Sequence, residues 1–241
     1  FYVKLCSKKK LRINFEVKTM KETFDNYWEQ VHSRTEWGQY PAEHVIRFIA
    51  RNFYNTKRDE IRILDFGCGG GAHTWYLARE GFDTYAFDGS NSAVEKLKTR
   101  LKKEGLNANV QVCDAAQLKY EYNFFDAIID NFCSFNNTID LVEYMYDEMY
   151  HILKPGGKIL TAVFGKKTLG YGTGKEIEKD TFSNLEDGTL KGRTKIHFFD
   201  KQGLVEVLSK NKFVNIKVDS IFYTDNGNDI ELLIAKAEKN G

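Results

Sequence analysis

The feature that most constrains this chain is a glycine-rich turn directly after a short apolar run. The strand-like run covers 61–65, and glycine fills four of the five positions 67–71. Glycine lets the backbone approach a ligand closely, and free amides at the start of a following helix favour an anionic group. A tight turn without a ligand needs fewer glycines than this. We therefore interpret the segment as a ligand-binding loop at the carboxyl end of a strand.

Strand-like and helix-like segments alternate after this point, which predicts an α/β fold. Repeated alternation of this kind indicates a parallel sheet with helices on both faces. Two further helices, at 21–33 and 42–53, are predicted before the first strand and form an N-terminal helical layer. The predicted strands are 61–65, 83–88, 109–113, 125–130 and 158–164, and the predicted helices between them are 72–80, 92–103 and 139–153.

The last third of the chain breaks this alternation. Residues 165–195 combine several glycines with many charges, which predicts a long insertion or lid rather than core. A helix is predicted at 201–210 and strands at 214–223 and 230–236. Because the residues between these strands are of turn type, we expect them to form an antiparallel hairpin.

Composition narrows the choice of compartment and partner. Hydrophobic residues make up 42% of 241 residues, which is enough for one large core. The 35 basic and 34 acidic residues nearly cancel, so no global field attracts a polyanion, and nucleic acid is an unlikely partner. No apolar stretch reaches the roughly 20 residues of a membrane span. The four cysteines form no CxxC pair and the five histidines show no metal-ligand spacing, which predicts free thiols, a cytoplasmic location and no metal.

The glycine-rich turn resembles a known cofactor-binding motif. Asp65, Gly67, Gly69 and Gly71 fill the pattern of motif I of the class I S-adenosylmethionine-dependent methyltransferases, an acid followed by alternating glycines. The turn also satisfies the looser dinucleotide fingerprint G-x-G-x-x-A, which ends at Ala72 here. The loop alone therefore leaves a nicotinamide cofactor open.

Later segments extend the resemblance to the methyltransferase family. Segments 85–90, 112–115, 125–132 and 153–160 resemble the ends of its second, third and fourth strands and the turn into its fifth. The family likeness implies a Rossmann-like doubly wound sheet of seven strands, order 3-2-1-4-5-7-6, with strand 7 antiparallel. It also implies S-adenosylmethionine as cofactor, and these cofactor-binding residues: Asp65, Gly67, Cys68, Gly69, Gly71, Asp88, Gly89, Ser90, Asp114, Ala115 and Asn131.

Two of these acids have expected roles. In the family, the acid at the position of Asp88 accepts hydrogen bonds from both ribose hydroxyls, and the acid at the position of Asp114 meets the adenine amino group. Asp114 also fits the N-cap of a following helix, so that simpler interpretation stays open.

The acceptor site is predicted from the same resemblance. In the family, substrate contacts come from the N-terminal helices, the residues after the fourth strand and the insertion after the fifth. The matching residues here are Trp28, Trp37 and Tyr40, then 131–135 with Phe132 and Phe135, and then Tyr171, with core packing as the alternative role for each aromatic. His197 is the candidate general base, because the segment after the insertion should return to the pocket and imidazole titrates near neutral pH. A capping or packing histidine is its alternative role.

These observations combine into one predicted function. Residues 20–241 form a single methyltransferase domain, with an N-terminal helical lid at 20–56 and a substrate-side insertion at 165–199. Residues 1–19 are interpreted as an upstream segment or tag. The expected reaction is in-line transfer of a methyl group to an oxygen or nitrogen of a small-molecule acceptor, leaving S-adenosylhomocysteine. The alternatives are a non-catalytic cofactor-binding protein of the same fold and an NAD-dependent oxidoreductase.

Overall fold

The computed structural model of the protein describes residues 22–36 and 38–241. The helices are α1 (Tyr27–Arg34), α2 (Glu43–Phe53), α3 (Ala72–Arg79), α4 (Asn91–Glu104), α5 (Ile139–Ile152) and α6 (Lys201–Lys210). The strands are β1 (Arg62–Phe66), β2 (Asp83–Asp88), β3 (Asn109–Val112), β4 (Phe125–Asn131), β5 (Leu153–Phe164), β6 (Lys175–Glu178), β7 (Thr181–Ser183), β8 (Ile196–His197), β9 (Phe213–Asp225) and β10 (Asn228–Lys239). Within these described residues no helix is both long and apolar enough to span a bilayer.

The main sheet has seven strands in the order β3-β2-β1-β4-β5-β10-β9. Strands β3, β2, β1, β4 and β5 run parallel, and β10 is antiparallel to both β5 and β9. The predicted strand order and the antiparallel seventh strand are confirmed. Because β1 lies between β2 and β4 and the three strands are parallel, the loops that follow them meet at the carboxyl ends of the strands.

Helices cover both faces of this sheet and close two main cores. On one face α2 and α3 place Val45, Ile49 and Leu77 against Ile129 and Leu160. On the other face α5, α6 and the segment after β5 pack against the sheet. The apolar spacing read from the sequence explains α2, which buries one side and begins one residue later than predicted.

The insertion after β5 differs from the prediction. It contains its own antiparallel sheet of three strands, ordered β6-β7-β8. Phe182, Leu185, Leu190 and Phe198 are buried in the same core as α5. The prediction that this segment lies outside the core was therefore wrong, because Phe182, Leu185 and Leu190 are buried there, although Leu169 and Ile177 remain exposed.

The N-terminal helix also differs from the prediction. A helix was expected over 21–33, but α1 begins at Tyr27, and Thr23 to Asp25 are not helical. Thr23 and Phe24 instead give their backbone N–H groups to the carboxylate of Asp114, at 2.9 and 2.7 Å. Those amides would otherwise be the unpaired first donors of a longer helix, and a distant carboxylate pairs with them here.

The hairpin at the end of the chain is confirmed. Strands β9 and β10 pair from Phe213 to Lys239 and turn at Asn226 and Gly227, which have φ values of 48° and 80°. Two successive positive φ values suit the tight turns whose twist matches that of the flanking strands. β9 forms one edge of the sheet and is mostly exposed, whereas β10 is mostly buried.

A buried carboxylate fixes the loop that follows β4. Asp130 is fully buried and accepts hydrogen bonds from the hydroxyls of Ser134 and Thr161, at 2.6 and 2.7 Å. The backbone N–H groups of Cys133 and Ser134 also donate to it, at 3.3 and 3.0 Å. Burial raises the pKa of Asp130, and these donors act in the opposite direction.

We predict that Asp130→Ala lowers the free energy of unfolding by about 3 kcal/mol, because several buried donors lose their acceptor. Urea unfolding followed by circular dichroism measures this change. The matched control is Lys210→Ala, which removes an exposed ion pair with Glu143 and should cost under about 0.5 kcal/mol. Equal stabilities of the two variants would contradict the proposed role of Asp130.

Candidate functional site

A pocket of about 490 Å³ opens at the carboxyl ends of β1, β2 and β4. Ligand pockets of small-molecule size have volumes in this range, and α/β sheets place them at this edge. The glycine loop forms its floor. Tyr40 and Phe24 come from the N-terminal part of the chain, and Leu190 comes from the insertion.

The glycine loop reaches the pocket because two of its residues have no side chain. Gly67 has φ +67°, and a Cβ there would stand 2.1 Å from the Sγ atom of Cys133. Gly69 has φ +49°, and a Cβ there would stand 3.3 Å from a ring carbon of His32. Both positions therefore favour glycine for their left-handed conformation, and Gly67 also needs glycine for space. Gly67, Cys68, Gly69 and Gly71, all expected to bind the cofactor, line the pocket.

Asp65 lies behind this loop rather than in the pocket lining. Its Oδ2 atom accepts hydrogen bonds from the backbone N–H and the hydroxyl of Thr74, at 2.9 and 2.6 Å. Burial raises the pKa of Asp65 to about 7, although the Thr74 bonds oppose this change. The carboxylate thus links β1 to α3 on the side of the loop away from the pocket. Direct contact of Asp65 with a ligand was expected, and the structure does not place it in the lining.

His73 packs against the same carboxylate and lines the pocket. Its Nε2 atom accepts a hydrogen bond from the backbone N–H of Ala42 at 3.3 Å, and its Nδ1 atom lies 3.9 Å from Asp65. Burial lowers the pKa of His73 to about 4, so its ring is neutral near pH 7. The ring therefore links the start of α2 to the glycine loop.

Asp88 lies at the end of β2 and faces the pocket. Each of its oxygens accepts one backbone hydrogen bond, from Gly69 and from Ser90, both at 2.8 Å. Burial raises the pKa of Asp88, and these two bonds oppose that change. A carboxylate with two oxygens has room for further donors, so Asp88 can hold the loop and still accept from a ligand hydroxyl.

Ser90 and Glu29 join the N-terminal helix to this strand end. The Ser90 hydroxyl accepts from Ala93 at the start of α4 and donates to Glu29 at 2.6 Å. Glu29 also accepts from the hydroxyl of Ser92 at 2.5 Å, and these bonds lower the pKa of Glu29. Ser90, predicted to bind cofactor, does not line the pocket, because its hydroxyl caps α4 and anchors α1.

The two predicted cofactor-binding residues after β3 differ in their positions. Ala115 lines the pocket, but Asp114 does not. The Asp114 carboxylate accepts from Thr23, Phe24 and Ala116, including a 2.7 Å bond from the hydroxyl of Thr23. It caps the short turn that begins at Ala115, so the N-cap role left open in the sequence analysis describes its contacts. The ring of Phe24 packs on Gly89, where a Cβ would stand 2.0 Å from it.

Asn131, expected to bind the cofactor, ends β4 and lines the pocket. Its Oδ1 atom lies 2.6 Å from Nε2 of His44 on α2, and burial lowers the pKa of His44. Because a carbonyl oxygen only accepts, the ring nitrogen of His44 carries the proton. The sequence did not reveal this partner, since nothing in it places α2 over the end of β4.

Of the residues predicted to contact the methyl acceptor, only some line the pocket. Tyr40, Phe132 and Phe135 line the pocket. Phe132 has the left-handed φ of +64°, unusual for an aromatic residue and typical of strained functional positions. Trp37 lies outside the described residues. Tyr171 does not line the pocket, because its ring packs on Phe182 and Phe198 of the insertion.

His197 lies in the small sheet of the insertion and not in the pocket lining. Its Nδ1 atom lies 2.6 Å from the hydroxyl of Thr181, and its backbone N–H donates to Phe135 at 2.8 Å. Burial lowers its pKa. These contacts describe a packing histidine, so the structure does not bring the expected general base to the pocket.

Other pocket residues were not singled out as a site from the sequence. They are His32 of α1, Arg193 of the insertion, and Asn136 and Asn137 of the loop after β4, whereas Trp28 of α1, an expected acceptor contact, also lines the pocket. The Arg193 guanidinium stacks over Trp28 with 4.6 Å between its carbon and the ring centre. Only the presence of aromatic residues on α1 signalled such a wall in advance.

We predict that Gly67→Ala weakens ligand binding at this pocket and lowers the midpoint of thermal unfolding, because its new Cβ collides with Cys133. Gly81→Ala is the matched control, since Gly81 has φ +85° but open space around a Cβ. Both variants carry backbone strain, so their difference measures the collision. Equal melting temperatures in a thermal shift assay would contradict this interpretation of the loop.

Comparisons with known proteins agree on one family. The family model described as a methyltransferase domain matches residues 63–157. The tRNA N(3)-methylcytidine methyltransferase trm140 of Schizosaccharomyces pombe is 28% identical, with 81% of this chain and 66% of that protein aligned. The demethylmenaquinone methyltransferase of Leptospira interrogans is 27% identical, with 64% of this chain and 63% of that protein aligned.

Solved structures share the fold. A SAM-dependent methyltransferase from Methanosarcina mazei superposes with a TM-score of 0.61 at 25% identity, over 74% of this chain and 92% of that one. The alignments to the two curated relatives span slightly less than two thirds of those relatives' lengths. What each relative acts on is a property of that relative.

Proposed function

This chain belongs to the class I S-adenosylmethionine-dependent methyltransferases, and we propose that it transfers a methyl group to a small-molecule acceptor. The reaction is in-line displacement onto an oxygen or nitrogen. The observation that carries the proposal is the glycine loop with Asp88 at one side of the pocket. Gly67 and Gly69 leave bare backbone at its floor, and Asp88 holds Gly69 while facing the same space.

The residues present fit S-adenosylmethionine. The cofactor's ribose needs an acceptor for its hydroxyls, and Asp88 has accepting capacity beyond its two backbone bonds. Its methionine part carries an ammonium and a carboxylate, which need backbone acceptors and donors together. The backbone of the loop at 67–71 can offer both, because four of its five residues are glycine. We propose Asp88, Gly89, Ala115 and Asn131 as further cofactor contacts from their places in the lining.

The cofactor supplies an electrophilic methyl group on a positively charged sulfur. The task left to the chain is to hold the acceptor atom in line with that methyl and to keep water away. Orientation of this kind can supply several kcal/mol of the barrier, in the range of about 7–11 kcal/mol for ideal cases. Phe132, Phe135 and Phe164 give the pocket an apolar wall suited to excluding water.

His44 and Asn131 serve this alignment in our proposal. The hydrogen bond from His44 fixes the amide plane of Asn131 at the end of β4, where the strand meets the pocket. The neutral ring of His44 keeps this bond without adding a charge. His197 is not proposed as the base, because its ring is engaged with Thr181.

The acceptor class is proposed from size and charge. A pocket of about 490 Å³ covered by α1 and the insertion suits a small acceptor beside the cofactor. The net charge of +1 provides no long-range attraction for a polyanion. The relative in Leptospira interrogans is named for demethylmenaquinone, which agrees with a small acceptor.

A second candidate acceptor is a tRNA base, and a specific observation favours it. The relative in Schizosaccharomyces pombe is named for tRNA methylation, and its alignment covers 81% of this chain. The expectation that nucleic acid is not a partner has no support from this comparison. The alignment covers 66% of that relative's length.

We predict that Asp88→Ala lowers affinity for S-adenosylhomocysteine about tenfold to a hundredfold, because hydrogen bonds to a charged acceptor contribute about 1.5–3 kcal/mol. Isothermal titration calorimetry measures the change. Asp83→Ala is the matched control, since Asp83 begins the same strand and contacts Arg62 instead. Unchanged affinity in Asp88→Ala would remove Asp88 from the cofactor site.

We predict that incubation with S-adenosylmethionine and a metabolite extract yields a product heavier by one CH₂ unit, as measured by mass spectrometry. A parallel incubation with total tRNA, digested to nucleosides, should show no new methylated nucleoside. Methylation of tRNA alone would replace the small-molecule proposal with the second candidate. Cofactor binding without any product in either incubation would favour a non-catalytic protein of this fold.

A further inference from the structure

Asn137 is a buried polar residue of the pocket that the proposed function leaves unexplained. It is only 4% exposed and lines the pocket, and its Oδ1 atom is buried without a hydrogen-bond donor among the described residues. An unpaired buried oxygen destabilises a folded chain, so buried polar groups normally have partners. Asn137 therefore points to a bound molecule that brings an N–H or O–H group into the pocket.

Two hydrogen bonds place Asn137 on the insertion side of the pocket. Two residues before it, the carbonyl of Phe135 accepts from the backbone N–H of His197 in β8 at 2.8 Å. Two residues after it, the backbone N–H of Ile139 donates to the carboxylate of Glu178 in β6 at 2.6 Å. Asn137 is thus held between two contacts with the small sheet of the insertion.

This side of the pocket lies away from the glycine loop and Asp88. The glycine loop follows β1 and Asp88 ends β2, whereas Asn137 follows β4 and the insertion follows β5. Because the strand order is β2-β1-β4-β5, Asp88 lies toward one end of this row and Asn137 lies toward the other. This order favours the methyl acceptor, and not the cofactor, as the source of the donor for Asn137.

Arg193 brings a positive charge from the insertion to the same pocket. Its backbone carbonyl accepts from the N–H of Asn184 at 2.7 Å, and its guanidinium lies over the ring of Trp28, 4.6 Å from the ring centre. Burial lowers the pKa of Arg193, yet a guanidinium stays charged near neutral pH. The side chain of Tyr27 is one of its hydrogen-bond partners. A guanidinium has five N–H donors in one plane, so it can keep such a partner and also bind a carboxylate or phosphate.

Two carboxylates also line the pocket, and both have other partners or places. Asp88 lies on the cofactor side, at the end of β2. Asp25 accepts from the backbone N–H of Tyr27 at 2.9 Å and has a cation of its own in Lys195, 4.0 Å away. The guanidinium of Arg193 therefore gives the insertion side of the pocket a positive potential.

We propose that the methyl acceptor is a small organic anion that also carries an N–H or O–H group, with the anionic group at Arg193 and the donor at Oδ1 of Asn137. This inference rests on the proposed function. The apolar wall of Phe132, Phe135 and Phe164 then contacts the carbon skeleton of the acceptor. The charge on Arg193 acts at short range, so the small net charge of the chain does not oppose this recognition.

The first experiment tests the charge of the acceptor. A metabolite extract is passed through a filter that retains tRNA and is then divided on an anion exchanger at neutral pH. Each fraction is incubated with wild-type protein and S-adenosylmethionine, and mass spectrometry detects products heavier by one CH₂ unit. Most of the product should come from the bound fraction. A larger yield from the unbound fraction would overturn the inference and leave the proposed function intact.

The second experiment uses the active fraction to test the two residues. Asn137→Leu, which keeps the shape of the side chain, and Arg193→Gln should each raise the amount of that fraction needed for half-maximal rate about tenfold, because each removes a hydrogen bond to the acceptor. Their affinities for S-adenosylhomocysteine, measured by isothermal titration calorimetry, should match wild type. The ligand-free form of Asn137→Leu should melt no lower than wild type, since the unpaired oxygen is gone. If Asn137→Leu does not fold, Asn137→Ser provides the same comparison.

Lys195→Gln is the matched control, because Lys195 is a cation of the same segment that does not line the pocket. It should leave the half-maximal amount unchanged. An equal rise in this variant, an unchanged amount in Asn137→Leu or Arg193→Gln, or a matching loss of affinity for S-adenosylhomocysteine would overturn the inference. If wild type bound S-adenosylhomocysteine but methylated nothing in either fraction, the small-molecule proposal itself would fail, and this inference would fail with it.

Discussion

Three buried carboxylates hold the pocket edge of the sheet together. Asp65, Asp88 and Asp130 end or nearly end β1, β2 and β4; Asp65 accepts a backbone N–H group from the first turn of α3, and Asp88 and Asp130 accept backbone N–H groups from loops. Burial raises the pKa of all three, so each carboxylate depends on its donors to remain ionised inside the protein. The bare backbone of the glycine loop keeps its shape because these acceptors hold it on two sides.

Two further carboxylates, Glu29 and Asp114, hold the N-terminal part of the chain over the pocket. Glu29 accepts from Ser90 and Ser92 on α4, and Asp114 accepts from Thr23 and Phe24. Both contacts join residues that are distant in sequence but adjacent at the strand ends. The segment that covers the pocket is therefore held by hydrogen bonds within the protein and not by bonds to a ligand. This arrangement restricts water without requiring a large apolar cover.

The sheet and the loop could be predicted because their signals are local. Alternating apolar segments located β1 to β5, and the glycines at 67–71 located the loop, since both patterns depend on neighbouring residues. The roles of Asp114, His197 and Tyr171 depend on partners far away in sequence. Asp114 and His197 look the same in a sequence whether they face a ligand or bind Thr23 and Thr181. Family likeness placed them near the pocket, and only packing showed that other groups already occupy them.

The exposed edge strand β9 has a consequence for how this protein behaves in concentrated solution. One side of its backbone pairs with β10, and among the described residues its other side pairs with no strand. Such an edge offers a template on which another strand could add, and its exposed Ile221, Phe222 and Tyr223 would strengthen that addition. The exposed charges of Lys217 and Asp219 interrupt the apolar stretch and oppose continuous growth of a sheet between molecules. Resistance to aggregation at this edge thus depends on the hydration of these charged side chains, which a strand added from another molecule would have to displace.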